Sequence, residues 1–211
     1  TLSQPHYRQD RIRSLLKKRS DHGFDTMRSI QLDVYSLQAE RFVPRILQYL
    51  PSGSLRRALE KWDYCYDVDS VGAHAFEVCY KSLREALAPE LGGAWFLEML
   101  SGSELCNWWT QAIDTLLGDD LSWKGDRGQR LHTALQQIAL EQPRKWGQVQ
   151  RFRLPNMVLG PLPAVFGFNR GPYALPGGRS TPRQGQLITM DGVETAVAPA
   201  YRMICDLSED G

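Results

Sequence analysis

The sequence predicts an α+β fold, with a predominantly helical body over about residues 8–141 and a β-rich C-terminal segment over about 184–207. Before Pro143, apolar residues recur at helical spacing. After it, prolines at 155, 161, 163, 172, 176, 182 and 199 exclude long helices. We therefore divide the chain into a helical region, 1–142, and a loop- and strand-rich segment, 143–211, which we expect to pack together as one unit.

The helical body is predicted as a series of helices separated by Pro, Gly and Asp. Asp25 and Ser54 are candidate N-caps because their side chains can accept a hydrogen bond from the first helical turn. Pro44 is expected to kink its helix or to start a new one. In the first helix, Ile12, Leu15 and Leu16 share one face. Predicted helices cover Arg8–Arg19, Thr26–Leu50, Leu55 to about Tyr64, and about 70–88, 94–100, 103–117 and 128–141.

The C-terminal segment is predicted to contain short strands. Trp146–Leu154 is expected to be extended. Gln186–Met190 and Val193–Val197 flank Asp191-Gly192, which is a strong hairpin signal. Tyr201–Leu207 alternates in character and predicts a last strand.

Composition and charge exclude several classes of function. The net charge is +1, with 23% charged residues, so nothing indicates a polyanionic partner. The one basic cluster has helical spacing, which favours a solvated helix face over a nucleic-acid surface. Its members are Arg8, Arg11, Arg13, Lys17, Lys18 and Arg19. No run of eighteen apolar residues predicts a membrane span.

The sequence predicts neither a metal site nor a cofactor. It contains no Gly-rich phosphate loop, no GxSxG and no HExxH pattern. His6, His22, His74 and His132 lack ligand spacing. The disulfide status of the cysteines stays open, because no CxxC pattern guides it. They are Cys65, Cys79, Cys106 and Cys205.

Several short blocks follow one another along the chain in a fixed order. They are 7–16 (YRQDRIRSLL), 27–39 (MRSIQLDVYSLQA), 58–63 (ALEKWD), 146–147 (WG), and a closing segment from Pro176 to Ser208 with PGG…T and YRMICDLS. Together these blocks resemble penicillin amidases across nearly the whole chain. The sequence departs from that pattern at Gln150, where the family tends to carry His, and at 198–200, where it tends to have Gly-x-Ser.

The resemblance implies an N-terminal-nucleophile hydrolase that cleaves an N-acyl amide through an acyl-enzyme. Penicillins, other N-acyl amides or N-acyl-homoserine lactones would be its substrate class. Arg8 matches the Arg of the family's YR pair, which lies beside the nucleophile and supports the oxyanion and substrate region. The nucleophilic Ser and the oxyanion Asn have no match in this sequence. The resemblance therefore implies the C-terminal part of the β chain, which we expect to be inactive alone.

Other residues support weaker hypotheses. Thr1 could act as a nucleophile through its α-amine. However, no strand pattern follows it, and the YR block comes directly after, which disfavours this role. Gln31, Asp33 and Ser36 are polar residues inside an otherwise apolar predicted helix. If they are buried they need hydrogen-bond partners, so we expect them to join this helix to neighbouring loops.

The expected partners follow from the same resemblance. They are the remainder of a parent α/β heterodimer and a small N-acyl amide substrate, and exposed strand edges would allow a homodimer. Members of the penicillin amidase family are often exported, so the resemblance implies a periplasmic or secreted location. No targeting signal is visible in the sequence, and a cytoplasmic location stays open. The alternative function is a non-enzymatic helical module for protein interaction.

Overall fold

A computed structural model describes residues 5–102, 110–154, 156, 158–185, 194–195 and 202–205. Most of these residues are helical, which confirms the predicted helical body. The helices are α1 Tyr7–Lys17, α2 Phe24–Leu32, α3 Leu37–Tyr49, α4 Ser54–Glu60, α5 Val71–Ala86, α6 Ala88–Leu91, α7 Ala94–Gly102, α8 Thr110–Gly118, α9 Gly125–Ile138 and α10 Trp146–Val149. No helix among the described residues is long and apolar enough to cross a membrane.

The long helix predicted over Thr26–Leu50 is in fact two helices, α2 and α3. The break lies before Ser36, whose side chain accepts a hydrogen bond from the amide of Ala39 at 3.1 Å and so caps α3. Pro44 lies inside α3 and does not end it. Asp25 is not an N-cap, because α2 begins at Phe24 and Asp25 falls in its first turn.

Helix α5 lies at the centre of the core. It begins after Ser70, which caps it by accepting from the amide of Ala73 at 3.2 Å. Its buried face packs against α4 and α9. The aromatic side chains of Tyr66, Phe76 and Tyr80 are at most 1% exposed and fill this region. Burial of such large apolar side chains is the main stabilising contribution to the helical body.

The β-rich C-terminal segment is not found among the described residues. The sheet is small, with β1 Arg151–Leu154 between an antiparallel β2, Arg170–Ala174, and a parallel β3, Glu194–Thr195. The predicted extended segment Trp146–Leu154 is strand only in its second half, because α10 occupies the first.

Two predicted strands are only partly described. Arg202–Cys205 form no strand, so the last strand predicted over Tyr201–Leu207 is wrong for these residues. The remainder of that strand lies outside the described residues. The hairpin predicted over Gln186–Val197 also lies outside the described residues, except for β3.

Candidate functional site

Helix α1 carries Arg8 and contains no buried residue. Ile12 and Leu15 are half-buried, and Leu16 is exposed, so the predicted inward face does not enter the core. A helix that buries little apolar surface gains little from the hydrophobic effect. The position of α1 therefore depends on side-chain contacts made by Tyr7, Arg8 and Arg11.

Arg11 forms the first of these contacts, with the Asp33 carboxylate in the α2–α3 break. Its Nε and Nη2 donate to the two carboxylate oxygens at 3.1 and 2.7 Å, in a bidentate geometry. The guanidinium also lies 4.2 Å from the centre of the Tyr35 ring. The hydrogen bond to Asp33 raises the pKa of Arg11, so the guanidinium stays charged.

Tyr7 forms the second contact, with Arg41 on α3. Its hydroxyl accepts from Nη1 of Arg41 at 3.1 Å, and the negative charge of Asp114 on α8 acts on it. Asp114 is 2% exposed. Burial, and then the negative charge of Asp114, raises the pKa of Tyr7, so the hydroxyl keeps its proton.

Arg8 lies between these two contacts and is exposed. Its Nε donates to the carbonyl oxygen of Pro182 at 3.3 Å. Arg183 and Arg202 lie near Arg8. Burial is the main cause that lowers the pKa of Arg202, and the positive charges of Arg183 and Arg8 lower it further. The guanidinium groups of three distant parts of the sequence thus meet on one surface, which gives this surface a positive potential.

The loop 176–185 (PGGRSTPRQG), here called the PGG loop, holds Pro182 in place. Its anchor is Gly177, whose amide donates to the carbonyl of Tyr66 at 2.8 Å. The carbonyl of Gly177 accepts from the indole of Trp146 at 2.9 Å and from the amide of Gln150 at 2.6 Å. Trp146 and Gln150 are both at most 1% exposed, so the loop is attached to the core rather than to the surface.

Gln150 therefore has a structural role at the position where the family tends to carry His. Its side-chain amide also donates to the carbonyl of Leu175 at 3.2 Å. The side chain of Gln150 acts only as a donor in its hydrogen bonds to the carbonyls of Leu175 and Gly177. A histidine at this position could donate one imidazole N–H to one of these two carbonyls. The departure from the family pattern is thus consistent with retention of the PGG loop.

Thr181 closes the PGG loop on itself. Its hydroxyl accepts from the amide of Gly178 at 2.9 Å and donates to the carbonyl of Arg183 at 2.6 Å. The loop also joins the α2–α3 break, because the amide of Arg183 donates to the carbonyl of Asp33 at 2.8 Å. The α2–α3 break and the PGG loop therefore connect three arginines, which are Arg8, Arg11 and Arg183.

The polar residues predicted to connect a helix with loops do so, although two of them lie in the break between helices. Gln31, in the last turn of α2, donates to the carbonyl of Met203 at 3.1 Å. Asp33 contacts α1 and the PGG loop as described above. The hydroxyl of Ser36 lies 3.0 Å from that of Ser180. The interpretation as a structural network is confirmed.

Beneath the PGG loop lies a buried ion pair that the sequence did not reveal. Nη2 of Arg179 lies 2.5 Å from Glu77 on α5, and the hydroxyl of Tyr66 donates to the same carboxylate at 2.8 Å. The guanidinium also lies 4.8 Å from the centre of the Tyr80 ring. Tyr80 in turn donates to Asp114 at 2.7 Å, so the loop, α5 and α8 share one polar network.

Two sequence signals could have pointed to this network. Arg179 lies inside the PGG…T motif, and Asp114 is an acidic residue next to the apolar positions Ile113 and Leu117 of α8. A charge at such a position needs partners, since burying it alone is costly. The sequence does not say which partners those are.

The remaining candidates do not contribute to this site. Among the described residues no group of His, Cys, Asp and Glu could hold a metal ion. Cys65, Cys79 and Cys205 are free thiols, and Cys106 lies outside the described residues. Thr1 also lies outside them.

The comparison with protein families agrees with this architecture. The family model described as Penicillin amidase matches residues 1–211, which is every residue of the sequence. A match of this extent identifies an amidohydrolase-type domain. The chain belongs to the penicillin amidase family, which confirms the resemblance found in its sequence. No curated protein matched the chain.

Proposed function

We propose that this chain forms part of an enzyme that hydrolyses a linear N-acyl amide bond, with Arg8 at the edge of the active site. The nucleophilic Ser and the oxyanion Asn would come from outside these 211 residues. β-Lactams and N-acyl-homoserine lactones are the proposed substrate types. Within this scheme the described helices form a rigid support, and Arg8 is the group that meets the substrate region.

The observation that carries the proposal is the state of Arg8. A guanidinium has five N–H donors, and Arg8 uses Nε for the carbonyl of Pro182. Its side chain is exposed, while the helix on either side of it is fixed by Tyr7 and Arg11. An exposed cation on a fixed backbone can support a developing negative charge without much reorganisation. The neighbouring Arg183 and Arg202 strengthen that positive potential.

The surface of the C-terminal segment supports the presence of a partner. Val158, Val165 and Phe166 are 81%, 86% and 60% exposed and lie between β1 and β2. Exposed apolar residues concentrated in one segment are typical of an interface. We propose that the remainder of the amidase covers them.

The test compares two arginines of the same helix in the complete enzyme. Arg8→Ala should lower kcat/KM for hydrolysis of a phenylacetyl amide by roughly 100-fold, the loss expected for one group that stabilises an oxyanion. Arg13→Ala is the matched control, because Arg13 is exposed on α1 and, among the described residues, forms an ion pair with its helix neighbour Asp10 at 3.3 Å. Equal activity of the two variants would exclude Arg8 from the site.

A second measurement addresses the location of the nucleophile. The 211 residues alone should release no amine from the same substrate, whereas the complete enzyme should. Hydrolysis by the 211 residues alone would show that they contain their own nucleophile, and that part of the proposal would then be wrong.

A further inference from the structure

We propose that the connection between β1 and β2 is a preformed docking loop, which binds an apolar surface with carboxylates at its edge on the remainder of the amidase. This β1–β2 loop spans residues 155–169, of which 156 and 158–169 are described. The inference rests on the proposed function, because it gives the chemistry of the surface that covers the loop there.

The β1–β2 loop is ordered by its own polar groups. The side-chain oxygen of Asn156 accepts from the amides of Val158 and Leu159 at 3.1 and 2.8 Å. At the other end, the side-chain oxygen of Asn169 accepts from the amide of Asn156 at 3.0 Å, and its nitrogen donates to the carbonyl of Gly160 at 2.9 Å. Two asparagines thus join the ends, as in a compact Ω-loop. A loop ordered in this way loses little conformational entropy when it binds.

The apolar side chains of this ordered loop point into water. Residues 155–169 include no charged residue. Val158, Val165 and Phe166 are each more than half exposed, and the rings of Phe166 and Phe168 stack with their centres 6.2 Å apart. Apolar area held in water by a fixed backbone is stabilised when another apolar surface covers it. The loop therefore has the properties of the apolar centre of an interface.

The sequence around the loop carries charge of one sign. Between residues 142 and 190 it contains seven basic residues and no acidic one. Arg151 on β1 and Arg170 on β2 are exposed at the base of the loop. Glu194 of β3 lies in register with Arg151, so Arg170 is the stronger evidence of a positive edge. A complementary partner surface presents carboxylates there.

The family membership favours a protein partner over a lipid surface. Penicillin amidases are typically multi-chain, which fits a partner chain. A second copy of this chain is disfavoured by charge, because two like surfaces would bring Arg170 of one copy towards the cations of the other. The remainder of the amidase is the occupant to which the loop is assigned.

Hydroxyl-radical footprinting of the complete enzyme tests whether the loop is covered. Phe166 should be oxidised much more slowly in the folded enzyme than in the urea-unfolded one, and Phe24, of equal exposure here at 59% against 60%, is the internal reference. Phe166 oxidised as fast in the folded as in the unfolded enzyme would overturn the inference. Protection of Phe166 that rises with enzyme concentration would overturn it as well, in favour of a second copy. Protection that appears only with vesicles of phosphatidylcholine and phosphatidylglycerol would do the same, in favour of a lipid surface.

A charge placed in the loop tests the apolar contact by a second route. Val165→Asp should lower the melting temperature of the complete enzyme by roughly 5 °C or more, because a carboxylate would be buried against an apolar and acidic surface. Leu140→Asp is the matched control, since Leu140 is 78% exposed after α9 and should shift the melting temperature by no more than roughly 2 °C. Val165→Asp that melts with the wild type would contradict the docking role.

Two substitutions of Arg170 test the acidic edge. Arg170→Glu should lower the melting temperature more than Arg170→Gln, and the difference should shrink between about 0.05 and about 0.5 M salt. Within these 211 residues a carboxylate at position 170 would lie in the basic stretch, so this loss would indicate carboxylates on the partner. Equal melting of the two variants at low salt would exclude an acidic edge.

These measurements do not depend on hydrolysis, so the two proposals can fail separately. If the complete enzyme cleaves no linear amide while Phe166 is protected, the docking loop stands and the proposed function fails. If hydrolysis proceeds as proposed and Phe166 is oxidised freely, the docking loop alone is wrong.

Discussion

Replacement of Gly177 by alanine is expected to unfold the PGG loop, because this glycine is confined in two ways. Its φ is +90°, a region that side chains disfavour. A Cβ atom there would also lie 1.9 Å from the carbonyl oxygen of Arg183. Both groups belong to the backbone of the same closed loop, so neither can rotate away, and the loop must open to admit the methyl group.

The size of the effect follows from what the opening breaks. Left-handed backbone costs a residue other than glycine roughly 1–2 kcal/mol. Opening would also break the hydrogen bonds of Gly177 with Tyr66, Trp146 and Gln150, each contributing roughly 0.5–1.5 kcal/mol net. The sum predicts that Gly177→Ala lowers the free energy of unfolding by roughly 2.5–6.5 kcal/mol.

Gly93 provides a matched control. Its φ is +63°, and a Cβ atom there would meet nothing within 4 Å. Gly93→Ala should therefore show the conformational cost alone, roughly 1–2 kcal/mol. Chemical denaturation of both variants, followed by tryptophan fluorescence, gives the comparison. Unfolding free energies that agree within about 0.5 kcal/mol, the usual limit of additivity, would refute the steric argument.

Three further predictions concern ionisable groups. Glu77→Gln removes the carboxylate that pairs with the Arg179 guanidinium and should lower the free energy of unfolding by roughly 3–5 kcal/mol. The double variant Glu77→Gln/Arg179→Met should recover part of that loss. Absence of any recovery would show that the two residues are not coupled. Burial lowers the pKa of His74 below its ordinary value of 6.5, so the unfolded chain takes up the proton first and stability should fall as the pH drops below 6.5. His74→Gln should flatten that part of the pH–stability curve, and an unchanged slope would contradict this. Burial raises the pKa of Cys79 to about 12. Iodoacetamide at pH 8 should therefore modify the exposed Cys205 and leave Cys79 unmodified, which peptide mass mapping would measure. Equal labelling of the two cysteines would contradict the burial of Cys79.

The predictions that held were those that depend on local sequence. Helix α5 was expected at about 70–88 and is found at Val71–Ala86, because Ser70 caps it and its apolar residues keep helical spacing. The division of the chain into a helical region, 1–142, and a C-terminal segment, 143–211, stays a prediction. So does the dimer through exposed strand edges.

The predictions that failed depend on partners far along the chain. The break between α2 and α3 contains neither Gly nor Pro, and its local signals are weaker: the Asp33 carboxylate accepts from the amide of Tyr35 at 3.2 Å, and Ser36 caps α3. Distant residues also contact the break. The carboxylate of Asp33 accepts from Arg11, and its carbonyl accepts from the amide of Arg183. The hydroxyl of Ser36 lies 3.0 Å from that of Ser180. The parallel pairing of β3 with β1 joins Arg151 with Glu194 and Phe152 with Thr195, a pairing that the hairpin signal at Asp191-Gly192 does not predict.

The amino-acid sequence alone determined the family and the helical character of the body, and it singled out Arg8 as a candidate site residue, which stays a prediction. These depend on residue order and on hydrophobic period, which are properties of short segments. Only the tertiary structure decided how Arg8 is held. Arg8 and Pro182, whose carbonyl accepts from it, are 174 residues apart in the sequence, and the closing of such a distance depends on which buried polar groups find partners.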